Sequence, residues 1–199
     1  VRKLKEKLFE LLRELNLQYL MGELFEVPYY LNKERICKIF INKERIIKKK
    51  ILGVSRIGLV NGLFATASGI GGITIIETYR SLSDNRLSLE LTGKQGDVMK
   101  ESMRVAKTVA WNLLSSTIQE QIRKETPFGI HIHCPEAATP KDGPSAGGAI
   151  TIAILSQILG VKVNNECAMT GEIDLNGSIH QIGGLESKIE GGKLAGATI

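Results

Sequence analysis

The stretch Gly143-Pro144-Ser145-Ala146-Gly147-Gly148 constrains the architecture of this chain more than any other, because it joins two segments of different periodicity. Upstream, Ile130, Ile132 and Cys134 alternate as the apolar side of a strand. Downstream, Ala149 to Leu159 is an apolar run long enough for a buried helix. A strand that passes through a glycine- and proline-rich turn into a buried helix demands a layered fold, helix against sheet. The glycines allow close backbone approach, and Ser145 is left at the helix N-terminus, where first-turn N–H groups have no intrahelical partner. A hydroxyl displayed beside free donors is what a nucleophile and its oxyanion require.

Neighbouring segments supply the other layer. Ile57–Leu63, Ile73–Tyr79 and Leu87–Leu91 are short, β-rich and separated by turns such as Ala67-Ser68-Gly69-Ile70-Gly71-Gly72, which predicts strands of a mixed sheet. Val98, Ser102, Val105, Val109 and Leu113 mark a long helix. After Gly160 the pattern predicts a strand over Ala168–Ile173, a hairpin at Asn176-Gly177 and a helix from Leu185 onward. The fold class is therefore α+β, an α/β sandwich around a mixed sheet.

Ahead of this domain, Leu4, Leu8, Leu11, Leu12 and Leu15 recur at helical spacing and predict an amphipathic helix over residues 1–19. Asn42 is placed to cap a second helix through Lys50, ended by Gly53, with an irregular stretch containing Pro28 between the two. The reading is a helical leader over 1–52 and a single domain over 53–199. Residues 1–56 hold 14 Lys and Arg against 7 Asp and Glu, and the remainder 12 against 14, so the net charge of +5 belongs to the leader. No aromatic-interleaved basic patch accompanies Lys48-Lys49-Lys50, and nucleic acid is not an expected partner. The three cysteines are scattered, which argues against a disulfide framework or zinc cluster and for a reducing compartment, the cytoplasm or alternatively the mitochondrial matrix. No run approaches the roughly 20 apolar residues of a membrane span, so no membrane association is expected.

The serine turn from Thr139 to Gly148, then Ala168-Met169-Thr170-Gly171-Glu172-Ile173, then Ile182-Gly183-Gly184-Leu185-Glu186-Ser187-Lys188, in that order, closely resemble the proteolytic domain of the Lon family of ATP-dependent proteases. Residues 1–50 resemble the tail of the helical subdomain that precedes it. The resemblance implies a Lon protease-like fold, cut short at Ile199, and a serine endopeptidase with a Ser-Lys dyad: Ser145 as nucleophile, Lys188 as general base and Thr170 as the hydroxyl that orients the lysine. It also places Glu77, His133, Gly143 and Pro144 along the substrate cleft. It implies unfolded or damaged proteins as substrates, a homo-hexameric ring, and ATP with Mg for the full-length protein. No cofactor or metal is expected in these residues, which contain no G-x-x-x-x-G-K-[ST] motif.

A lysine serves as base only when neutral. Burial lowers its pKa, and a hydroxyl orients the amine without holding its charge as a carboxylate would. Leu185 and Ile189 flank Lys188, so partial burial is expected. Asp142 either caps the helix or holds Lys188 by charge in a resting state. Two other readings compete. Gly143-Pro144-Ser145-Ala146-Gly147 fits G-x-S-x-G, with Asp174 and His180 following in nucleophile-elbow order, but acid and base arrive too early for that fold's intervening elements. A non-catalytic Lon-like domain serving assembly or nucleic-acid binding is the other. His131 and His133 share one side of a strand without a third metal ligand. Gly191 and Gly192, each costing about 1 kcal/mol in a helix interior, predict fraying of the helix that bears Lys188. The aromatic that relatives carry after Gly62-Leu63 is absent at Ala65, and Phe64 is expected to fill its space.

Overall fold

The computed structural model describes residues 2–23, 28–41, 49–66, 69–135 and 142–198. The chain divides into two compact units, Val1–Ile47 and Lys48–Ile199. The first holds α1 (Arg2–Leu20) and α2 (Lys33–Ile41). Of the leucine stripe on α1, Leu11 is buried whereas Leu4, Leu8 and Leu12 are exposed. Helix α2 occupies the stretch expected to be irregular. Asn32 Oδ1 accepts a hydrogen bond from Arg35 N at 2.9 Å, satisfying an orphan first-turn donor. The tetrapeptide Asn-Lys-Glu-Arg occurs at Asn32 and again at Asn42, and the first copy starts a helix. The helix expected from Asn42 falls on 42–48, outside the described residues, while 49–52 are not helical.

The second unit is built on a five-stranded mixed sheet in the order β4 (Leu89–Thr92), β5 (Phe128–His133), β3 (Gly71–Leu82), β2 (Leu59–Ala65), β7 (Ala168–Met169). The central pairs β2–β3 and β3–β5 are antiparallel, and the outer pairs β4–β5 and β2–β7 are parallel. A short ribbon pairs β1 (Arg56–Ile57) with β6 (Lys162–Val163). The single strand expected over Ile57–Leu63 breaks at Gly58, whose φ of 70° takes it out of the extended region.

Successive side chains on a strand point to opposite faces. Val60, Ile76, Ile130 and Ile132 meet Met103 and Ala106 of α3 (Asp97–Leu113) and Ile150 and Ile154 of α5 (Gly147–Leu159) in the principal core. On β3, Thr78 lies on the same face as Ile76, and its hydroxyl donates to Ala153 O of α5 at 2.9 Å. The odd-numbered positions of β3 face the other way, where α6 (Leu185–Ala195) lies across Gly71. Helix α4 (Ser116–Lys124) completes the framework and was not evident from periodicity. Its Ser115 cap accepts from Ile118 N at 3.4 Å. The architecture is α+β around a mixed sheet, as expected.

Candidate active site

The strand expected over Ala168–Ile173 is interrupted. It divides into β7 and β8 (Glu172–Ile173), and the latter forms a hairpin with β9 (Ile179–His180). At the interruption, Thr170 and Gly171 turn their polar groups onto the serine turn instead of a neighbouring strand. Gly171 N donates to Ser145 O at 2.7 Å, and Thr170 Oγ1 donates to the same oxygen at 3.2 Å. Gly148 N donates back to Gly171 O at 3.0 Å. The serine turn, a 3-10 turn over Pro144–Ala146 that runs into α5, is thus stitched to the strand break. A β-carbon at Gly147 would stand 2.9 Å from Ser102 Oγ and 3.1 Å from Ile173 N, so any larger residue would crowd this crossing.

Lys188 reaches the turn from α6. Its Nζ donates to Ser145 Oγ at 3.0 Å and to Thr170 Oγ1 at 3.2 Å. The residue is 5% exposed, and this burial pushes the amine below its ordinary value of 10.5. Helix α6 does not fray at Gly191 and Gly192: it runs without a break through both. A β-carbon at Gly191 would overlap the backbone of Gly71, and one at Gly71 would overlap the Ser187 carbonyl oxygen. The helix therefore lies on the start of β3 with no side chain between, and that close packing offsets the intrinsic cost of glycine.

Asp142 takes neither of its expected roles. Its Oδ1 accepts from Met99 N at 2.9 Å and from Gly143 N at 2.9 Å, so it caps α3, not the serine helix, and makes no bond to Lys188. The cap position of α3 itself is Gly96, and a β-carbon there would collide with the Asp142 carboxylate. Gly143 N–H is thereby occupied.

A cleft of about 490 Å³ opens over the pair, lined by Phe64, Pro144, Ser145, Glu172, Gln181 and Lys188, among others. Phe64 does reach this wall. Of the four residues expected along the cleft, Pro144 is among its lining residues and Gly143 is not, nor are Glu77 and His133. The last two face each other across β3 and β5, and Glu77 lies about 20 Å along the strand from the Gly71 end, at roughly 3.4 Å per residue. His133 Nδ1 is instead 2.7 Å from Thr92 Oγ1, whose other imidazole neighbour is His131 Nε2 at 2.8 Å. His180 Nε2 sits 2.9 Å from Asp174 Oδ2, so the acid and base of the competing triad do pair, yet Ser145 Oγ is bonded to Lys188 instead. Among the described residues no group of three His, Cys, Asp or Glu side chains converges as a metal site, and no helix is long and apolar enough to cross a membrane.

A family model described as the Lon protease (S16) C-terminal proteolytic domain matches residues 31–198. The chain belongs to this Lon family. It is 44% identical over 160 residues to a Lon protease homolog of Acanthamoeba polyphaga mimivirus, covering 78% of this chain and 16% of that protein. It is 38% identical over 205 residues to the mitochondrial Lon protease homolog of Rattus norvegicus, covering 100% of this chain and 21% of the relative. It is 37% identical over 198 residues to Lon protease of Campylobacter jejuni, covering 95% and 24%. The chain thus spans under a quarter of the length of these relatives. Membership in the Lon family makes this a protease-type domain, and gives the contact between Ser145 and Lys188 its chemical interest.

Proposed function

We propose that this domain is a serine endopeptidase using Ser145 and Lys188 as a catalytic dyad. The observation that carries the reading is the 3.0 Å separation between Ser145 Oγ and a buried Lys188 Nζ that has a hydroxyl, and no carboxylate, as its second partner. Neutral Lys188 takes the Ser145 hydroxyl proton as Oγ bonds to the substrate carbonyl carbon. The resulting ammonium then gives that proton to the leaving amine as the peptide C–N bond breaks. Water, deprotonated by the same amine, releases the acyl group and restores Ser145. Backbone N–H groups at the head of the serine helix receive the oxyanion.

The motif resemblance to the Lon family of ATP-dependent proteases supports the wider proposal: unfolded or damaged proteins as substrates, a homo-hexameric ring, and ATP with Mg as the source of unfolding work in the full-length protein. These residues contain no phosphate-binding G-x-x-x-x-G-K-[ST] motif, so the proposal assigns ATP to the full-length protein. The leader and domain boundary at 52/53 belongs to the same proposal, as does a cytoplasmic or mitochondrial location.

The test is covalent labelling by an electrophilic, serine-directed peptide inhibitor, read by intact mass. The wild type and His180→Ala should gain one adduct, and Ser145→Ala and Lys188→Ala none. Labelling that persists in Lys188→Ala but vanishes in His180→Ala would replace the dyad with the Ser-His-Asp alternative.

A further inference from the structure

Ser102 is a buried hydroxyl in the middle of α3 that the dyad does not use. It is 7% exposed, and its Oγ donates to Pro144 O at 3.2 Å. Pro144 O also accepts the N–H of Gly147, so the carbonyl preceding the nucleophile is gripped from two directions. In a trans peptide the C=O and the following N–H point to opposite sides. Drawing the Pro144 carbonyl toward α3 therefore turns the Ser145 N–H away from α3, toward the cleft that Ser145 and Pro144 line and Ser102 does not. That N–H is a first-turn donor without an intrahelical partner. Its neighbour Gly143 N–H is already taken by Asp142.

We infer that Ser102 is a positioning residue for the oxyanion site: it sets the plane of the Pro144–Ser145 peptide so that the Ser145 N–H faces the developing negative charge. The inference rests on the dyad reading and deepens it. Ser102 touches neither substrate nor the reacting atoms and acts through one peptide unit. The bonds that Gly171 N and Thr170 Oγ1 make to the next carbonyl, Ser145 O, hold the far side of the same residue. Ser102 and these two groups together leave the turn little rotational freedom.

The test compares wild type, Ser102→Ala and Ser102→Cys in the full chain. Both variants should fold, since Pro144 O keeps the Gly147 N–H and cysteine keeps the volume while donating only weakly. Three quantities are read: the acylation rate, the affinity for a peptide boronate that forms a tetrahedral adduct on serine, and the affinity for the same peptide as a plain amide. Loss of a whole oxyanion donor costs about a hundredfold to a thousandfold. Misdirecting one should slow acylation and weaken the boronate by about tenfold to a hundredfold in both variants, with amide affinity unchanged. Boronate and amide weakened in parallel, or both at wild-type strength, would overturn the inference while leaving the dyad standing. A wild type that neither acylates nor binds the boronate would remove both.

Discussion

Lys188 Nζ lies 3.2 Å from Thr170 Oγ1, and the proton of that hydroxyl is committed elsewhere, to the Ser145 carbonyl oxygen. A hydroxyl has one proton, so toward the lysine Thr170 can only accept. One N–H of the amine is thereby fixed on Thr170, and the nitrogen lone pair of the neutral form is left for the Ser145 hydroxyl across 3.0 Å. Thr170→Val keeps the shape and removes the hydroxyl. Its labelling rate should fall by about tenfold to a hundredfold, the scale of a general base that has lost its alignment. Thr170→Ser should stay within a few-fold of wild type. A valine variant that labels at the wild-type rate would end the orienting role.

Burial lowers the pKa of Lys188, which fixes the sign of two pH effects. The base form is needed for attack, so the labelling rate should rise with pH through one ionisation with its midpoint below 10.5. Lys188→Arg, charged at every accessible pH, should not label. For stability, the folded state below that midpoint carries a desolvated ammonium. As pH rises past it, the folded amine loses its proton while the unfolded one, titrating at 10.5, keeps it, and stability increases over that window. Lys188→Met should therefore be stabilised most at low and neutral pH, with an advantage that shrinks toward pH 10.5. Urea midpoints for the two proteins across pH check the sign.

Asp142 caps a helix that is not its own. Met99 is the third residue of α3, and its N–H is one of the donors a cap satisfies; with Gly96 at the cap position, the acceptor has to come from elsewhere in the chain. Asp142→Ala should cost about 1 kcal/mol, as other lost caps do. Asp142→Asn retains the acceptor oxygen and should cost less. If the carboxylate instead restrained Lys188 by charge, the asparagine variant would label faster than wild type. The capping geometry predicts equal rates.

The parts of this chain that announce themselves in sequence are those where a single local rule suffices. Ser145 stands in a glycine-rich turn before an apolar run, and both flanking elements formed where their periodicities end. The stripe on α3 was drawn through Val98 and Leu113, yet both are exposed and the buried side includes Met99, Met103, Ala106 and Ala110. Apolar character marks a face only approximately when alanine and methionine do the packing. Thr170 and Lys188 were placed by family resemblance, since nothing local says that a strand breaks at Thr170 to reach Ser145. Asp142 and Ser102 were illegible for the same reason: their partners, Met99 and Pro144, are 43 and 42 residues away. Glu77 and His133 were also placed by that resemblance, and they pair with each other across β3 and β5 without being among the residues that line the cleft.

Gly191 and Gly192 are adjacent in one helix and should respond oppositely to the same substitution. Alanine at either position adds helix propensity of about 1 kcal/mol. At Gly192 the new β-carbon would meet Leu63 Cδ2 at 2.9 Å, the free end of a side chain that can turn aside. At Gly191 it would overlap the Gly71 backbone, which cannot move without distorting β3. Gly192→Ala should thus keep the labelling rate and raise stability or leave it unchanged. Gly191→Ala has to lift α6 from the sheet, and Lys188, one turn earlier on the same helix, moves with it. A displacement of about 1 Å is enough to cost a hundredfold in rate. The lifted amine is also better hydrated, so the midpoint of the rate–pH profile should move up toward 10.5, a shift that mere loss of folded protein would not produce. Identical rates and profiles for the two alanine variants would show that the bare contact between α6 and β3 plays no part in setting the distance from Lys188 to Ser145.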